Sequence, residues 1–572
     1  MADSRVTQLA PLEEAQVAFR QKYPAFATTH VLDELRATDY ARLDAQKQVY
    51  LDYTGGGLYA ERQLREAMEL LSQNVFGNPH STSPASHAMT VLVEQTRRAV
   101  LDYFNASPDE YVVIFTPNAT GALRLVGEAY PFAEGGQYLL TFDNHNSVNG
   151  IREFAQAKGA RVNYVPVEPP DLRVNELQLF SRLAQGRPDQ HNLFAFPAQS
   201  NFSGVQHPLD WIAQAQAQGW DVLVDCAAFT PSNRLDLAKW HPDFVPLSFY
   251  KIFGYPTGVG CLLARKSTLR KLRRPWFAGG TIVMASIMAA DTTGLGFYLA
   301  PGEAGFEDGT VNYLLLPAVK IGLRYIESIG IDLIHERVRC LTGWVLDKLL
   351  ALRHSNAASL VRVYGPINTE RRGGTISFNF YDPSGTVLDG YASQEEANQC
   401  GLSVRSGCFC NPGVGEVAFG LVRENVAAIF RNKERMTYEQ FLEVVDDQRQ
   451  GALRVSIGLA TNFSDVYRFI QFALTFIDRQ ASSASEETLE MPVDDETLQM
   501  QKTIHGSTTL PGPLGKKRFV VRVCACGYQD NHLDTRFCPH CGRPLPTIAG
   551  STSPAKAETA DATMLYQKPA SE

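Results

Sequence analysis

The chain has 572 residues, a formal net charge of −8, and 44% hydrophobic and 20% charged residues. This length allows two or three domains, and the net negative charge argues against attraction of the whole chain to nucleic acid or an anionic membrane. No uncharged apolar run approaches the ~20 residues of a membrane-spanning helix, and Met1–His30 lacks the apolar core of a secretory signal, so we expect a cytoplasmic protein.

Residues 1–45 are expected to form a polar, helical segment. Beyond them the chain repeats one pattern, in which a buried strand leads into a polar loop and then a helix. Apolar runs such as Tyr111–Phe115 and Asp221–Val224 follow this pattern. The alternation predicts an α/β fold with a mostly parallel sheet, and ligands of such sheets bind beyond the carboxyl ends of the strands.

Composition also divides the chain into domains. Gln480–Met500 has six acidic and no basic residues, which is typical of a flexible linker. We predict a large α/β domain over 46–325, a smaller α+β domain over 326–479, a linker over 480–515, a cysteine-rich module over 516–546 and a disordered tail over 547–572.

Polar residues with chemical potential follow several of the predicted strands. Thr120-Gly121 opens a helix and offers a hydroxyl and backbone N–H groups to an anion, although a plain helix cap explains the pair equally simply. His145 suits stacking on a ring or proton transfer, or a purely structural hydrogen bond. Asp225 suits pairing with a protonated ring nitrogen, or a turn.

Lys251 lies within the apolar and glycine-bearing stretch Leu247–Gly260. Apolar neighbours lower the pKa of a lysine amine, which makes it a nucleophile toward an aldehyde. Taken alone, it also fits a solvated lysine at a strand end. The order Thr120, His145, Asp225, Lys251, each at the end of a successive strand, is more specific than any single member.

This order resembles the fold-type I pyridoxal 5′-phosphate (PLP) enzymes of the class V aminotransferase group, which includes the cysteine desulfurases. The resemblance runs from about Val49 to Phe476. Within it, Ser248–Gly258, Arg405–Gly413 and Arg454–Gly458 are most similar to the desulfurase domain of molybdenum cofactor sulfurases. The resemblance implies a PLP-dependent cysteine desulfurase, a sulfurtransferase that mobilises sulfur from L-cysteine as a protein persulfide for an acceptor.

The resemblance also implies roles toward the cofactor. Lys251 would bond covalently to PLP, Asp225 would pair with its ring nitrogen, and His145 would stack on its ring. The phosphate would be held by Thr120, Gly121 and Ser248, with Thr310 reaching the phosphate of a partner subunit in a homodimer.

Toward the substrate, the resemblance assigns Asn201 to the ring oxygen or the amino acid and Arg405 to the carboxylate. Cys410 would form the persulfide, with Cys408 as the alternative nucleophile. Two positions depart from many desulfurases: Tyr250 replaces a histidine before the lysine, and Ala228 replaces a glutamine. The residues after 479 differ from the C-terminal domain of eukaryotic cofactor sulfurases, which leaves the sulfur acceptor open.

Four of the ten cysteines form two tight pairs near the C-terminus. Such pairs present four thiolates to one metal, so the module over 516–546 is predicted to be a structural zinc ribbon, with iron as the competitor. The predicted ligands are Cys524, Cys526, Cys538 and Cys541.

Two other functions remain open at this stage. Class V folds also host PLP-dependent lyases, epimerases and aminotransferases that form no persulfide. A non-enzymatic protein that binds a partner through the zinc ribbon is the third possibility.

Overall fold

The computed structural model describes residues 9–79, 81–294, 296–421, 451–481, 522–523 and 529–530. The chain divides into two units, Met1–Ser483 and Ala484–Glu572. In the second unit the described residues form one antiparallel pair, Arg522–Val523 with Gln529–Asp530. The four predicted zinc ligands, and nearly all of the predicted linker and tail, lie outside the described residues.

The first unit alternates strands and helices along most of its length. Its described strands are β1 (Val49–Tyr50), β2 (Tyr111–Thr116), β3 (Gln137–Thr141), β4 (Arg161–Val165), β5 (Val167–Glu168), β6 (Arg173–Val174), β7 (Asn192–Pro197), β8 (Trp220–Asp225), β9 (Phe244–Ser248), β10 (Gly260–Arg265), β11 (Ile282–Ala285), β12 (Phe297–Leu299), β13 (Val361–Tyr364), β14 (Thr375–Phe380), β15 (Leu402–Ser403), β16 (Arg405–Gly407) and β17 (Ala452–Ser456).

The described helices occupy the intervals between these strands, and the 3₁₀ helices span Pro24–Thr29 and Gly302–Gly305. The α-helices are α1 (Leu12–Lys22), α2 (Val31–Ala37), α3 (Arg42–Ala45), α4 (Glu61–Ser72), α5 (Pro84–Tyr103), α6 (Ala119–Ala129), α7 (Asn146–Asn149), α8 (Ile151–Ala157), α9 (Glu176–Leu183), α10 (Trp211–Gln216), α11 (Phe249–Phe253), α12 (Lys266–Leu269), α13 (Ile287–Thr293), α14 (Leu316–Ile329), α15 (Ile331–Ala351), α16 (Gly390–Gln399), α17 (Pro412–Ala418) and α18 (Phe463–Leu474). Within the described part of the chain, none of them combines the length and the apolar character needed to cross a membrane.

The core of the first unit is a seven-stranded sheet in the order β2-β10-β9-β8-β7-β3-β4. Strands β9, β8, β7, β3 and β4 run parallel, and β10 is antiparallel to both of its neighbours. The predicted α/β fold with a mostly parallel sheet is therefore confirmed.

Both faces of this sheet are covered by helices. Along β2, Val113 and Phe115 pack into one hydrophobic core, whereas Val112 and Ile114 pack into a second core. Because successive strand residues point to opposite faces, both faces must be apolar. This explains why the sequence shows continuous apolar runs rather than alternation.

The unit also contains a smaller antiparallel sheet in the order β13-β14-β17-β16. The segment after the N-terminal helices joins this side: Val49 and Tyr50 pair in parallel with Leu402 and Ser403. The Ser456 N–H donates to the Leu51 carbonyl at 2.6 Å. The strand-like stretch at residue 49 thus connects to the smaller sheet and not to the seven-stranded one.

Lys251 lies on the short helix α11, which begins directly after β9. The helix ends at Gly254, whose φ of 82° lies in the region that favours glycine. A Cβ at this position would lie 2.2 Å from the Tyr59 backbone nitrogen, so close approach also requires glycine here. Gly254 therefore fixes α11 against the N-terminal segment and aims Lys251 at the carboxyl edge of the sheet.

Candidate active site

A cavity of about 180 Å³ opens at the carboxyl edge of the seven-stranded sheet. Six residues singled out in the sequence line it together: Thr120, His145, Asn201, Asp225, Ser248 and Lys251. They lie at the ends of β8 and β9 or in the loops and helices that follow β2, β3, β7 and β9. Because these strands end at the same edge, residues far apart in sequence converge there.

Two of the predicted phosphate-binding residues line a different cavity. Gly121 and Thr310 both border a neighbouring space of about 530 Å³. The Asn78 side-chain amide donates to the Thr310 hydroxyl at 3.4 Å. Thr310 is therefore separate from the cavity of its own chain that holds Lys251.

Burial governs the electrostatics of the smaller cavity. Removal from water lowers the pKa of the Lys251 amine, and the Asp225 carboxylate opposes this effect. Arg454 and Arg405 lower this pKa further and Asp52 raises it, each by less than Asp225 does. The net lowered pKa increases the fraction of neutral amine, which is the nucleophilic form.

His145 is the neighbouring titratable group. Burial lowers the pKa of its imidazole, against the opposing attraction of Asp225. The Ser147 N–H donates to His145 Nδ1 at 3.1 Å. Because Nδ1 accepts this hydrogen bond, the neutral ring carries its proton on Nε2. The Asp225 carboxylate itself accepts from the Ala227 N–H at 3.0 Å, which fixes its orientation.

Hydroxyl groups surround the N-terminus of α6. The Ala119 N–H donates to Ser248 Oγ at 2.8 Å, and the hydroxyls of Thr120 and Ser147 lie 2.8 Å apart. The N-terminus of a helix carries partial positive charge and N–H donors. This end of the cavity is therefore suited to an anion such as a phosphate group.

Two arginines converge on one carboxylate beside the cavity. Arg405 donates from Nε and Nη2 to Asp52 Oδ2 at 3.0 and 2.6 Å, and Arg454 Nη2 donates to Asp52 Oδ1 at 2.9 Å. The Arg405 side chain is 52% exposed, but that of Arg454 is only 3% exposed. Hydrogen bonding to Asp52 raises the pKa of Arg405, whereas burial lowers the pKa of Arg454.

Arg454 is a site residue that the sequence reasoning missed. In the sequence it stands out only as the first residue of Arg454–Gly458, a stretch that resembles the family and implies no role for it. Its Nε is buried and has no hydrogen-bond partner among the residues that the structure describes. Its guanidinium also covers the Phe409 ring, at 4.5 Å from the ring centroid. The feature that identifies Arg454 as a site residue is its position directly opposite Arg405 on the paired antiparallel strands β16 and β17.

The two candidate nucleophiles lie on the loop between β16 and α17. Cys408 and Cys410 are both free and exposed. Partial burial of the Cys408 thiol raises its pKa. Phe409 and Cys410 have φ of 54° and 55°, a left-handed conformation that costs ~1–2 kcal/mol per residue outside glycine. Neighbouring structure must therefore hold this loop in place.

The loop is attached to the cavity wall by hydrogen bonds. The Asn201 side-chain amide donates to the Phe409 carbonyl at 2.7 Å, and the Asn146 N–H donates to the Cys410 carbonyl at 2.8 Å. Asn201 lines the cavity itself. Arg405 and Cys410 are not among the residues that line this described cavity, and the Cys410 loop is connected to it through the hydrogen bond from Asn201.

Metal ligands were predicted only in the C-terminal module. Within the described ranges, no group of three or more His, Cys, Asp or Glu residues is arranged to hold a metal ion. The four predicted ligands lie outside those ranges, so the zinc site stays a prediction.

Comparison with known proteins places these residues in context. A family model described as aminotransferase class V matches residues 49–469. The chain is 37% identical over 485 residues to the molybdenum cofactor sulfurase of Arabidopsis thaliana, which covers 78% of this chain and 58% of that protein. Over the curated relatives from Arabidopsis thaliana and Homo sapiens, the chain spans 58% and 51% of their lengths.

Solved structures show the same fold. A cysteine desulfurase from Thermococcus onnurineus NA1 matches with a TM-score of 0.62 and 24% identity, covering 78% of this chain and 98% of that one. A variant of the enzyme C-DES, with glycine covalently linked to its PLP cofactor, matches with a TM-score of 0.56 and 18% identity, covering 77% and 98%. At these identities, the likeness establishes the fold alone.

The lowered pKa of Lys251 leads to a first prediction. In protein freed of any bound aldehyde, we expect the Lys251 amine to be captured by a small aldehyde and a hydride reductant at lower pH than ordinary lysines, whose pKa is about 10.4. The reason is that burial increases its neutral fraction. The extent of labelling of the Lys251 peptide is measured by mass spectrometry across a pH series, with the exposed Lys239 as internal control. Identical pH dependence of the two lysines would contradict the prediction.

Proposed function

The chain belongs to the class V aminotransferase family, whose model covers residues 49–469, and on this premise we propose that it is a PLP-dependent cysteine desulfurase. It takes sulfur from L-cysteine as a persulfide on Cys410 and passes it to an acceptor. The residues around the cavity support this proposal.

The cavity residues fit PLP. A phosphate matches the N-terminus of α6 with its hydroxyls, and an aldehyde matches the amine of Lys251. Asp225 offers a carboxylate to a protonated ring nitrogen, and His145 offers a planar ring. When bound, PLP supplies an aldehyde that joins the amino acid and a ring that accepts electrons from it.

The side chains of this protein perform the remaining tasks. Lys251, with its lowered pKa, presents a neutral amine that bonds to the aldehyde and takes up or returns a proton beside the substrate. His145 is held neutral by burial and oriented by the Ser147 N–H, so its Nε2 faces the cavity as a hydrogen-bond donor.

The substrate carboxylate requires a cation close to the cavity. We propose that Arg454 is its principal partner and that Arg405 assists, because among the described residues the Nε of the buried Arg454 has no hydrogen-bond partner, whereas the Nε of Arg405 donates to Asp52. A guanidinium suits the bidentate binding of a carboxylate. Asp52 aligns both arginines and compensates one of their two charges.

The sulfur step belongs to Cys410. Its thiolate attacks the sulfur of the bound cysteine, so that an S–S bond forms and the C–S bond breaks. The electron pair of the broken bond remains with the carbon, which gains a proton, and the amino acid leaves as alanine. A persulfide stays on Cys410. Arg405 and Arg454 place two positive charges close enough to Cys410 to interact with it electrostatically.

One observation carries the choice of desulfurase over other PLP chemistries. The Cys410 loop is hydrogen-bonded to Asn201, a residue that lines the cavity of Lys251. A lyase, epimerase or aminotransferase has no use for a thiol-bearing loop fastened at this position. For the acceptor, the name of the Arabidopsis relative makes molybdenum cofactor the first candidate to test.

The second prediction concerns the nucleophile. We expect wild-type protein with PLP to release alanine from L-cysteine and to gain about 32 Da on the Cys410 peptide, the mass of one sulfur. Cys410→Ala should lose alanine formation by at least ~100-fold, since general positioning alone does not replace a nucleophile. Amino-acid analysis and peptide mass spectrometry provide the measurements.

Cys408→Ala is the matched control, because its thiol lies two residues away on the same exposed loop. It should retain most activity. A Cys410→Ala enzyme that still turns over an amino acid would favour the lyase, epimerase or aminotransferase alternative. Protein that neither binds PLP nor releases alanine would favour the non-enzymatic alternative.

We further propose that the protein acts as a homodimer. Residues 276–299 contain the antiparallel pair β11–β12 and present a strongly apolar surface, on which Ile287 and Met288 are 83% and 85% exposed. Large exposed apolar patches mark interaction sites. Trp276, at one end of this segment, lines the same cavity as Thr310. A second copy of the chain would cover this apolar patch. It would also place Thr310 of one copy at the phosphate site of the other.

The third prediction tests this arrangement. Wild-type protein should sediment at twice the chain mass of 63.2 kDa. The double variant with Ile287→Lys and Met288→Lys should sediment as a monomer, because burying two ammonium groups is costly. Leu177→Lys changes an equally exposed leucine outside the patch, 83% exposed, and should leave the dimer intact. A monomeric wild-type protein would refute the homodimer.

The zinc ribbon over 516–546 is also proposed, on the spacing of its cysteines alone. The fourth prediction is that purified full-length protein contains one zinc per chain, and that Cys538→Ser with Cys541→Ser removes it, because two of four thiolates are lost. Elemental analysis by mass spectrometry measures the metal. Alanine formation should persist, and iron in place of zinc would contradict the assignment.

The cytoplasmic location stays a prediction from the sequence.

A further inference from the structure

The helix that follows the Cys410 loop has an unusual beginning. Helix α17 starts with Pro412 at its first position and Asn411 at its N-cap. Asparagine is among the best N-cap residues because its side-chain oxygen accepts a hydrogen bond from the first helical turn. Here the Asn411 side chain makes no such hydrogen bond. The residue therefore forgoes its ordinary local role.

Asn411 instead bridges two other loops of the site. Its Nδ2 donates to the Asp143 carbonyl at 2.8 Å and to Asn201 Oδ1 at 2.8 Å. Asp143 precedes His145 by two residues, and Asn201 in turn donates to the Phe409 carbonyl. One amide group thus ties the nucleophile loop to the loops that follow β3 and β7.

This arrangement is built at a cost to stability. Asn411 is completely buried, and its Oδ1 has no hydrogen-bond partner within the described residues. A buried acceptor without a partner is unfavourable, and so is an unused helix cap. A side chain that is turned away from its helix under these conditions serves the geometry of the loop.

Adjacent contacts act in the same direction. The Asn146 N–H holds the Cys410 carbonyl, and the Phe409 ring is buried between Arg454 and Phe202. These contacts hold two consecutive residues, Phe409 and Cys410, in the left-handed conformation. Without Nδ2 of Asn411, the loop keeps the Asn201–Phe409 and Asn146–Cys410 hydrogen bonds to these two strand-end loops but loses its side-chain anchor.

We propose that Asn411 is a positioning residue that sets the place of the Cys410 thiol relative to the amino acid in the cavity. This inference rests on the proposed function of Cys410. Asn411 has no contact with the cavity itself, and it acts through the Asp143 and Asn201 loops. It therefore acts on sulfur abstraction through the nucleophile loop and reaches the cofactor and substrate only indirectly, through Asn201.

The test compares Asn411→Asp with Asn192→Asp in full-length, PLP-loaded protein. Asn411→Asp keeps the volume but replaces the donor by an oxygen facing two acceptors. The kcat of alanine formation should fall about 100-fold, as expected for a displacement of the reacting atom by ~1 Å. The KM for L-cysteine and the visible absorption of bound PLP should stay close to wild type.

Asn192 is a matched control at the opposite end of β7. It is 1% exposed and donates from Nδ2 to the Arg187 carbonyl at 2.8 Å, and its Oδ1 likewise has no partner in the part of the chain that the structure describes. Its change to Asp should not alter kcat. Equal kcat in Asn411→Asp and wild type, or an equal loss in both variants, would overturn the inference.

A second readout does not need turnover. The rate at which iodoacetamide alkylates Cys410 relative to Cys408, followed by peptide mass spectrometry, should rise in Asn411→Asp because the loop is released. An unchanged ratio overturns the inference. Wild-type protein that forms no alanine would refute the proposed function, while the alkylation ratio still decides the role of Asn411. If Asn411→Asp fails to fold, Asn411→Ala, which removes the donor without adding charge, is judged by the same measurements.

Discussion

Two guanidinium groups share the single carboxylate of Asp52, and the arrangement of the site depends on this contact. Arg405 and Arg454 face each other across strands β16 and β17, where like charges repel. Asp52 makes the pairing possible because it accepts from both. Arg405 leads into the nucleophile loop and Arg454 covers the Phe409 ring, so the carboxylate organises the substrate side and the sulfur side together.

The cavity of Lys251, next to these charged arginines, instead favours neutral side chains. Lys251 and His145 both have lowered pKa values because burial penalises their charged forms. Asp225 offsets the penalty only in part. The result is a compartment where an amine and an imidazole remain available as neutral bases and donors, while permanent positive charge stays on the guanidiniums at its border. The neutral amine of Lys251 and the charged guanidiniums are thus separated in space.

Much of this could be predicted from the sequence. Continuous apolar runs indicated strands buried on both faces, and polar residues directly after them identified the edge where Lys251, Asp225 and His145 meet. These signals are local, so a single chain displays them. No local sequence pattern indicated the positions that Arg454 and Asn411 take in the site. Asn411 before Pro412 indicates a helix cap, and only tertiary contacts with Asp143 and Asn201 turn its amide elsewhere. The pairing of Val49 with Leu402 also lacks a local signal, because a two-residue parallel bridge has no characteristic pattern.

The carboxylate of Asp52 and its partner Arg405 are 353 residues apart in the chain. During synthesis at ~5–20 residues per second, the segment that carries Asp52 waits roughly 20 to 70 s for that partner to be made. The seven-stranded sheet is complete in sequence at Arg265, well before the smaller sheet exists. The residues that line the Lys251 cavity are therefore all synthesised before Arg405 and Arg454, the two arginines that pair with Asp52. The order of translation makes Arg405 and Arg454 the last of these groups to be added to the site.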